Sequence, residues 1–329
     1  MTPVSAAELR NVTITIGQQG NDTQLGFLAS GLFDNLPYSV KWATFQAPTA
    51  TLTALGAGHI DLANGLSQWT AIQGASAATP AWTPETAPYK TVLVTGPDPS
   101  VQLDRFVAVA SRESKLTDIR QSKGKRWGFI PGAAPNLFAW TVLDKLGWTK
   151  DDVQIVTLDS TNQNLALETG RIDVSFTVTD NVPAAVQRGA RILGTAHDFG
   201  LTLYTGFVAN VAALNDPAKG QALGDIVRRL TLFENWLALH PAEQQAALVR
   251  GSHLSAQQAA SVWKHTRLIP QPPANITASS QTLIDFAVRT GLLKQRVDAS
   301  ALLDNRFADV IEDAFAQSHL MEHLKESYK

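Results

Sequence analysis

Residues Asn11 to Gly17 alternate Val12, Ile14 and Ile16 with Thr13 and Thr15, the period of a half-buried strand. After a loop at 18–20, Leu25, Leu28 and Leu32 recur at helical spacing until the Gly31 and Asn35 to Pro37 breaks. Asn21 stands three residues before Gln24, which predicts a capping box at the start of that helix. Ser39 to Phe45 reads as a second strand. Pro48 and Thr49 then open a helix over Leu52 and Leu55 that stops at Gly56 to Gly58, and Ile60 to Ala63 forms a third, short strand. Strands alternating with helices in this way predict a parallel sheet.

The stretch Leu55 to Ala63 (LGAGHIDLA) recurs as Leu167 to Ser175 (LETGRIDVS), sharing the frame L-x-x-G-x-I-D. Each copy follows a strand and a helix, the strands being Val40 to Phe45 and Val153 to Leu158. The frame reads as a helix closing on a left-handed glycine, Gly58 or Gly170, followed by a buried entry to a strand at Ile60 or Ile172. Asp61 and Asp173 are then expected to brace the turn by accepting backbone N–H groups, a structural role and not a catalytic one. Two lobes built on one plan follow from this repeat.

Arg105 to Ala110 and Tyr204 to Val211 are apolar strands placed to cross between the lobes. Ser114 to Lys123 predicts a short helix. Arg126 to Ile130 predicts a strand, and Asn136 to Leu146 a helix with Leu137, Trp140, Leu143 and Leu146 on one face. Val174 to Val178 leads into a polar turn and a helix ending at Gly189. Arg191 to Gly194 adds a strand. From Asn215 the pattern is helical, in segments at 223–240, 242–250, 255–264 and 281–290, closed by one amphipathic stretch at 304–325.

Composition narrows the function. The chain has 329 residues, 44% of them apolar and 17% charged, with a formal net charge of -2, so two lobes with cores of their own are expected and a nucleic-acid footprint is not. No apolar run approaches the roughly 18 residues of a membrane span. There is no Cys, which removes disulfides, zinc–thiolate sites and thiol nucleophiles together. The first ten residues hold no basic region followed by an apolar core, which fits either a cytoplasmic protein or an exported one without its signal, and a short polar leader running into a strand favours the second.

The motifs of catalysis and cofactor binding are equally thin. Gly65 to Trp69 (GLSQW) lacks the second glycine of a G-x-S-x-G elbow, so Ser67 reads as a hydrogen-bonding residue and not a nucleophile. Gly17 to Gly20 (GQQG) is not G-x-G-x-x-G, and no Walker sequence is present. His319 and His323 lie four apart around Glu322 without the H-E-x-x-H order, on an expected solvated end helix. Neither metal nor cofactor is expected. What remains is a set of polar turns and helix starts at the C-terminal ends of parallel strands: Gln19, Asn21 and Asp22; Gln46; Ser67, Gln68 and Trp69; Gly132, Ala133, Ala134 and Asn136; and Thr179, Asp180 and Asn181. Ligands of open α/β sheets bind at such ends, where helix N-termini offer free N–H groups. The turns alternate between lobes, so a cleft holding a small anionic ligand is expected, with the Trp69 ring over an apolar tail.

The run Leu9 to Trp69, with its early strand, the Gly17 to Gly20 loop, Phe45 to Thr49 (FQAPT) and L-x-x-G-x-I-D-L, resembles the substrate-binding subunits of nitrate/sulfonate/taurine-type ABC importers. The resemblance continues through Val107 to Ser111, through Leu116 to Arg126, and through Phe286 to Leu292. It implies an α/β, two-lobed type II periplasmic-binding-protein fold with two crossing hinge strands and a helical C-terminal third. Lobe one would be residues 1–105 and 206–329, and lobe two 106–205. It also implies a periplasmic or extracellular membrane-associated monomer that captures an organosulfur ligand of the sulfonate kind and delivers it to an ABC permease driven by its ATPase. The family's G-S-N-x-H helix start falls on Gly132 to Asn136, where Ala133 and Ala134 have only backbone N–H groups to offer, and its W-D-P-[FY] turn falls on Thr179 to Val182. An enzyme of the desulfinase or pyrimidine-precursor-synthase kind on the same fold is the alternative, disfavoured because those relatives use a Cys.

Overall fold

The computed structural model describes residues 4–97, 105–252, 254–265 and 268–327. In chain order, α1 (Ala6–Arg10) precedes β1 (Thr13–Gln18), α2 (Asp22–Ser30), β2 (Ser39–Thr44), α3 (Pro48–Gly56), β3 (Leu62–Ser67), α4 (Gln68–Ala77) and β4 (Tyr89–Pro97). Next come β5 (Phe106–Ala110), β6 (Arg126–Phe129), α5 (Ala134–Lys145), β7 (Gln154–Thr157), α6 (Ser160–Glu168), β8 (Val174–Val178), α7 (Pro183–Gln187) and β9 (Arg191–Thr195). The last stretch holds β10 (Thr205–Asn210), α8 (Val211–Asn215), α9 (Pro217–Leu239), α10 (Pro241–Ser252), α11 (Ala256–His265), β11 (Leu268–Gln271), α12 (Thr277–Arg289), α13 (Ala308–Ser318) and α14 (Leu320–Ser327).

Contacts divide the chain into two units, one of Met1–Ser100 with Tyr204–Lys329 and the other of Val101–Leu203. The first unit holds a six-stranded sheet in the order β11-β4-β10-β3-β1-β2, and the second a five-stranded sheet in the order β7-β6-β8-β5-β9. In the first, β2, β1 and β3 run parallel while β10 lies antiparallel between β3 and β4. In the second, β7, β6 and β8 run parallel while β5 lies antiparallel between β8 and β9. Strand for strand, 2-1-3-10-4 is the same plan as 7-6-8-5-9.

The repeated frame shows why. Asp61 Oδ2 accepts the backbone N–H of Thr15 at 2.8 Å, while the Asp61 N–H returns to the Thr15 carbonyl at 2.9 Å. Asp173 Oδ2 accepts the Arg126 N–H at 2.9 Å, and its own N–H goes to the Arg126 carbonyl at 2.9 Å. The carboxylates therefore clasp the neighbouring parallel strand, β1 or β6, and not the turn that precedes them, because each Asp stands where its strand first meets that neighbour. The other carbonyl partners match as well: Asn210 N–H donates to the Asp61 carbonyl and Ser111 N–H to the Asp173 carbonyl. Asn210 and Ser111 then cap the next turn through their side chains. Each carboxylate also meets a cation, Lys219 at 2.7 Å or Arg126 at 2.9 Å.

Two residues beyond each clasp lies a strand glycine. A Cβ on Gly17 would overlap Ile60 Cδ1, and one on Gly128 would overlap Ile172 Cδ1. The frame isoleucine thus fills the space that its partner glycine leaves empty. The frame glycines Gly58 and Gly170 are left-handed, with φ of 75° and 66°, as a helix end of this form requires.

Both sheets are covered. Ile14, Ile16, Leu62 and Leu93 of the first pack with Phe27 of α2 and with Leu223, Ile226, Val227 and Leu230 of α9. In the second, Ala108, Trp127, Val174 and Phe176 face Phe138 and Val142 of α5, while Val107 and Val109 face Leu167, Ile172 and Val182 on the opposite side. Period-2 alternation along β5 feeds the two cores in turn.

Several elements differ from the sequence pattern. β4 is buried along nearly its whole length, so it carries no alternation to mark it as a strand. β11 contains Pro270 and is tolerated because it lies at the sheet edge. Ser114 to Lys123 is not one helix but parts of two 3₁₀ turns, Arg112–Ser114 and Ile119–Ser122, separated by the left-handed Lys115. The final amphipathic stretch breaks into α13 and α14 at His319, with φ of 51°. β5 pairs only within the second sheet and β10 only within the first.

Two predictions follow from the clasps. Gly128→Ala is expected to destabilise by about 1–3 kcal/mol through overpacking, and a second change, Ile172→Val, to restore part of the loss in chemical denaturation. The Arg126 guanidinium and backbone N–H hold the Asp173 carboxyl below the usual carboxylate range. A group whose pKa is lowered by folding stabilises above its unfolded value, near 3.9, and loses that contribution as pH falls through the folded value. Asp173→Asn should therefore flatten the acid limb of a stability-versus-pH curve below about pH 4 and lower stability at neutral pH.

Candidate ligand-binding loops

Register places the predicted loops of each unit at one sheet edge. β1 ends opposite β2, with Gln18 paired to Thr44, and β3 lies alongside with Ala63 paired to Gly17. The residues that follow, 19–22, 45–47 and 67–69, are therefore neighbours at the C-terminal edge of the first sheet. In the second unit Phe129 pairs with Thr157 and Gly128 with Ser175, which brings 130–136 and 179–181 to the corresponding edge.

Their side chains are placed unevenly. Gln19 and Gln46 are exposed, and Asn21 and Asp22 are half-buried. Asn21 occupies the N-cap position of α2 but makes no cap bond; its amide donates instead to the Gly251 carbonyl at 3.2 Å. The expected capping box does not form, because Gln24 is engaged by Gln18 Nε2 at 2.7 Å and Asn21 is drawn toward the end of α10. Ser67 caps α4, accepting the Trp69 N–H at 3.2 Å. Gln68 is buried and turned inward, its amide donating to Ser280 at 2.7 Å and its backbone N–H to the Tyr204 carbonyl at 3.0 Å. Trp69 is 0% exposed, so its ring presents no face to solvent. It occupies the second position of α4, of which residues 68–72 are buried, so the ring is packed within the first unit.

In the second unit Gly132 and Ala133 are half-buried, and Ala134 and Asn136 are buried in the first turn of α5. The N-cap is Ala133, which has no side-chain oxygen to satisfy the helix start, and Pro135 contributes no N–H. Thr179 to Asn181 form a 3₁₀ turn in which the exposed Asn181 donates to Thr177 Oγ1 at 3.2 Å. The side chain of Asp180 lies outside the described residues. None of the segments 18–24, 45–49, 66–70, 130–136 or 178–183 contains Lys or Arg.

Unsatisfied groups sharpen the picture. Gln18 is 2% exposed, and its Oε1 is buried without a partner; the Trp69 indole N–H is buried without a partner too. Buried polar atoms without partners cost about 1–3 kcal/mol each, so they are uncommon and call for an explanation. Here one acceptor and one donor stand at the ends of the adjacent strands β1 and β3. The sequence reading passed over Gln18, whose place as the last strand residue gave no signal, and Gly251, which lies 230 residues from Asn21. A Cβ on Gly251 would overlap the Leu25 side chain, so α10 and α2 meet there in close contact. Among the described residues no three His, Asp or Glu side chains are grouped to hold a metal, and no helix is long and apolar enough to cross a membrane.

Gly251→Ala is expected to separate α10 from α2 and free the Asn21 amide. The loop at 19–22 should then show faster amide hydrogen exchange than in the parent protein, with exchange in the second unit unchanged.

Residues 100–211 match a family model described as NMT1/THI5 like. No curated protein matches the chain. Among solved structures it is similar to the alkanesulfonate-binding protein SsuA from Xanthomonas axonopodis pv. citri bound to MOPS, at 21% identity and a TM-score of 0.76 over 89% of this chain and 98% of that one. It is also similar to the periplasmic aliphatic sulphonate binding protein SsuA from Escherichia coli, at 20% identity and a TM-score of 0.71 over 89% and 92% of the two chains. A more distant likeness is to a cysteine-to-serine variant of DSZB in complex with biphenyl-2-sulfinic acid, at 12% identity and a TM-score of 0.65 over 93% and 99%. The chain thus has the periplasmic-binding-protein fold of the SsuA proteins, and the segment that matches the family model takes in the whole of its second unit together with β10.

Proposed function

We propose that the protein is a periplasmic solute-binding receptor that captures a small organosulfur anion of the sulfonate kind and hands it to an ABC permease and its ATPase. The single observation that carries this reading is the pair of unsatisfied buried groups at the ends of β1 and β3. An indole N–H suits a sulfonate oxygen, and an amide oxygen suits a hydroxyl or N–H on the ligand body. Taken unit by unit, the residues offered for contact are Gln19, Asn21, Asp22 and Gln46 at the strand ends of the first, and Gly132, Ala133, Asn136, Thr179 and Asn181 at those of the second. The SsuA likeness supports a sulfonate as the headgroup. Capture as a monomer needs no reacting side chain. A desulfinase-like reading is weakened by the absence of Cys from the sequence.

The charge of the loops sets a selectivity. With no Lys or Arg in the loop segments of either unit, nothing there offsets a second negative charge, so a monovalent anion is expected to be preferred to a divalent one. In a thermal-shift screen a monovalent alkyl or aryl sulfonate should raise the melting temperature, about 2.7 kcal/mol being added at 100 times the dissociation constant, while sulfate should not. Trp69→Phe is expected to weaken sulfonate binding by about tenfold, the cost of one lost hydrogen bond to a charged acceptor. Unchanged affinity in that variant, or turnover of the bound sulfonate, would overturn the reading.

A further inference from the structure

We propose that the first unit carries a second small-molecule site, a groove between α3 and α4 that takes a planar aromatic monocarboxylic acid. The groove has a volume of about 540 Å³, within the range of ligand sites, and of the strand-end segments discussed above only Thr49 and Thr70 line it. Its walls are apolar: Leu52 of α3, Tyr89 at the start of β4, Trp82 in the preceding loop, and Leu293 beyond α12. Small residues on the two helices, Gly56 and Gly74 among them, also line it, and Leu52 and Tyr89 pack closely over Gly74.

Three features define the occupant. The Trp82 and Tyr89 rings meet edge to face at 5.0 Å and 89°, which makes an aromatic corner that a flat ring can enter by stacking on one wall and abutting the other. The Tyr89 side chain is buried, and its hydroxyl has no partner. That hydroxyl is turned toward Gly74, in the groove wall, where a Cβ would overlap it. Burial raises the phenol's pKa well above its ordinary value, so the hydroxyl stays a neutral donor. Lys294 is the one charged residue among the described lining residues, and it is exposed at the rim. An aromatic body against the corner and a single carboxylate near Lys294 answer the first and the third, and the neutral buried hydroxyl leaves the inner wall without a charge to oppose the acid.

The test is isothermal titration of the full-length protein with 2-naphthoate, with naphthalene as the uncharged control. One site per chain is expected, with the carboxylate binding more tightly than naphthalene. Thr53 and Lys294 are exposed, so substitutions there leave the core alone. Thr53→Trp, which fills the groove, and Trp82→Ala, which removes one wall, should each weaken binding about tenfold or more, and Lys294→Gln about threefold or more. Gln19→Ala and Asn181→Ala, at the strand ends, should leave naphthoate affinity within about twofold while lowering that for a sulfonate. Absence of naphthoate binding at millimolar concentration would overturn the proposal. So would full affinity in both Thr53→Trp and Trp82→Ala, or loss of naphthoate binding in the strand-end variants, which would place the acid at the solute site.

Discussion

The parallel core of each unit depends on one carboxylate that holds two strands by their backbones. Asp61 and Asp173 each accept an N–H from the adjacent strand and return their own N–H to the same residue's carbonyl. A ring of this kind fixes register at the first residue of contact, and in a sheet with one face in each core a slip by one position would turn every side chain to the wrong side. Ile60 over Gly17 and Ile172 over Gly128 fix the same register through shape. Charge enters as well, because each carboxylate pairs with a cation, Lys219 or Arg126, and hydrogen bonds between charged partners are stronger than those between neutral ones.

Much of the first half of the plan was legible because these constraints fall on short, recognisable residue types. The glycine that ends a helix, the isoleucine two residues on and the aspartate after it recur in both copies, and the structure shows each doing the same thing twice. What the sequence hid is the partner of each device. Thr15 meets Asp61 through its backbone alone, and although the Arg126 side chain also pairs with Asp173, no side-chain feature shared by Thr15 and Arg126 marks them as partners of the two carboxylates. β4 was hidden for a related reason: a strand buried on both faces has no polar phase to reveal its period.

The candidate site was legible as loops and much less so as side chains. That polar turns would gather at the ends of β1, β2 and β3 follows from parallel topology alone. Which atoms point outward does not. Gln68 lies in a helix whose first turn is buried, so a residue that looks like a rim contact in a linear reading is spent inside, on Ser280 and Tyr204. Gln18, hidden at the end of a strand, keeps the unpaired oxygen instead.

The tethering of those loops has a consequence for how such a receptor changes over generations. Asn21 is held by Gly251, and Gln68 by Ser280 and Tyr204, each more than 130 positions away in the chain. The helical C-terminal segment is therefore the frame on which the first unit's loops are hung. Drift in α10 or α12 can retune what the loops accept without altering a single loop residue, so diverging specificities in proteins built this way need leave no trace in the segments where they are usually sought.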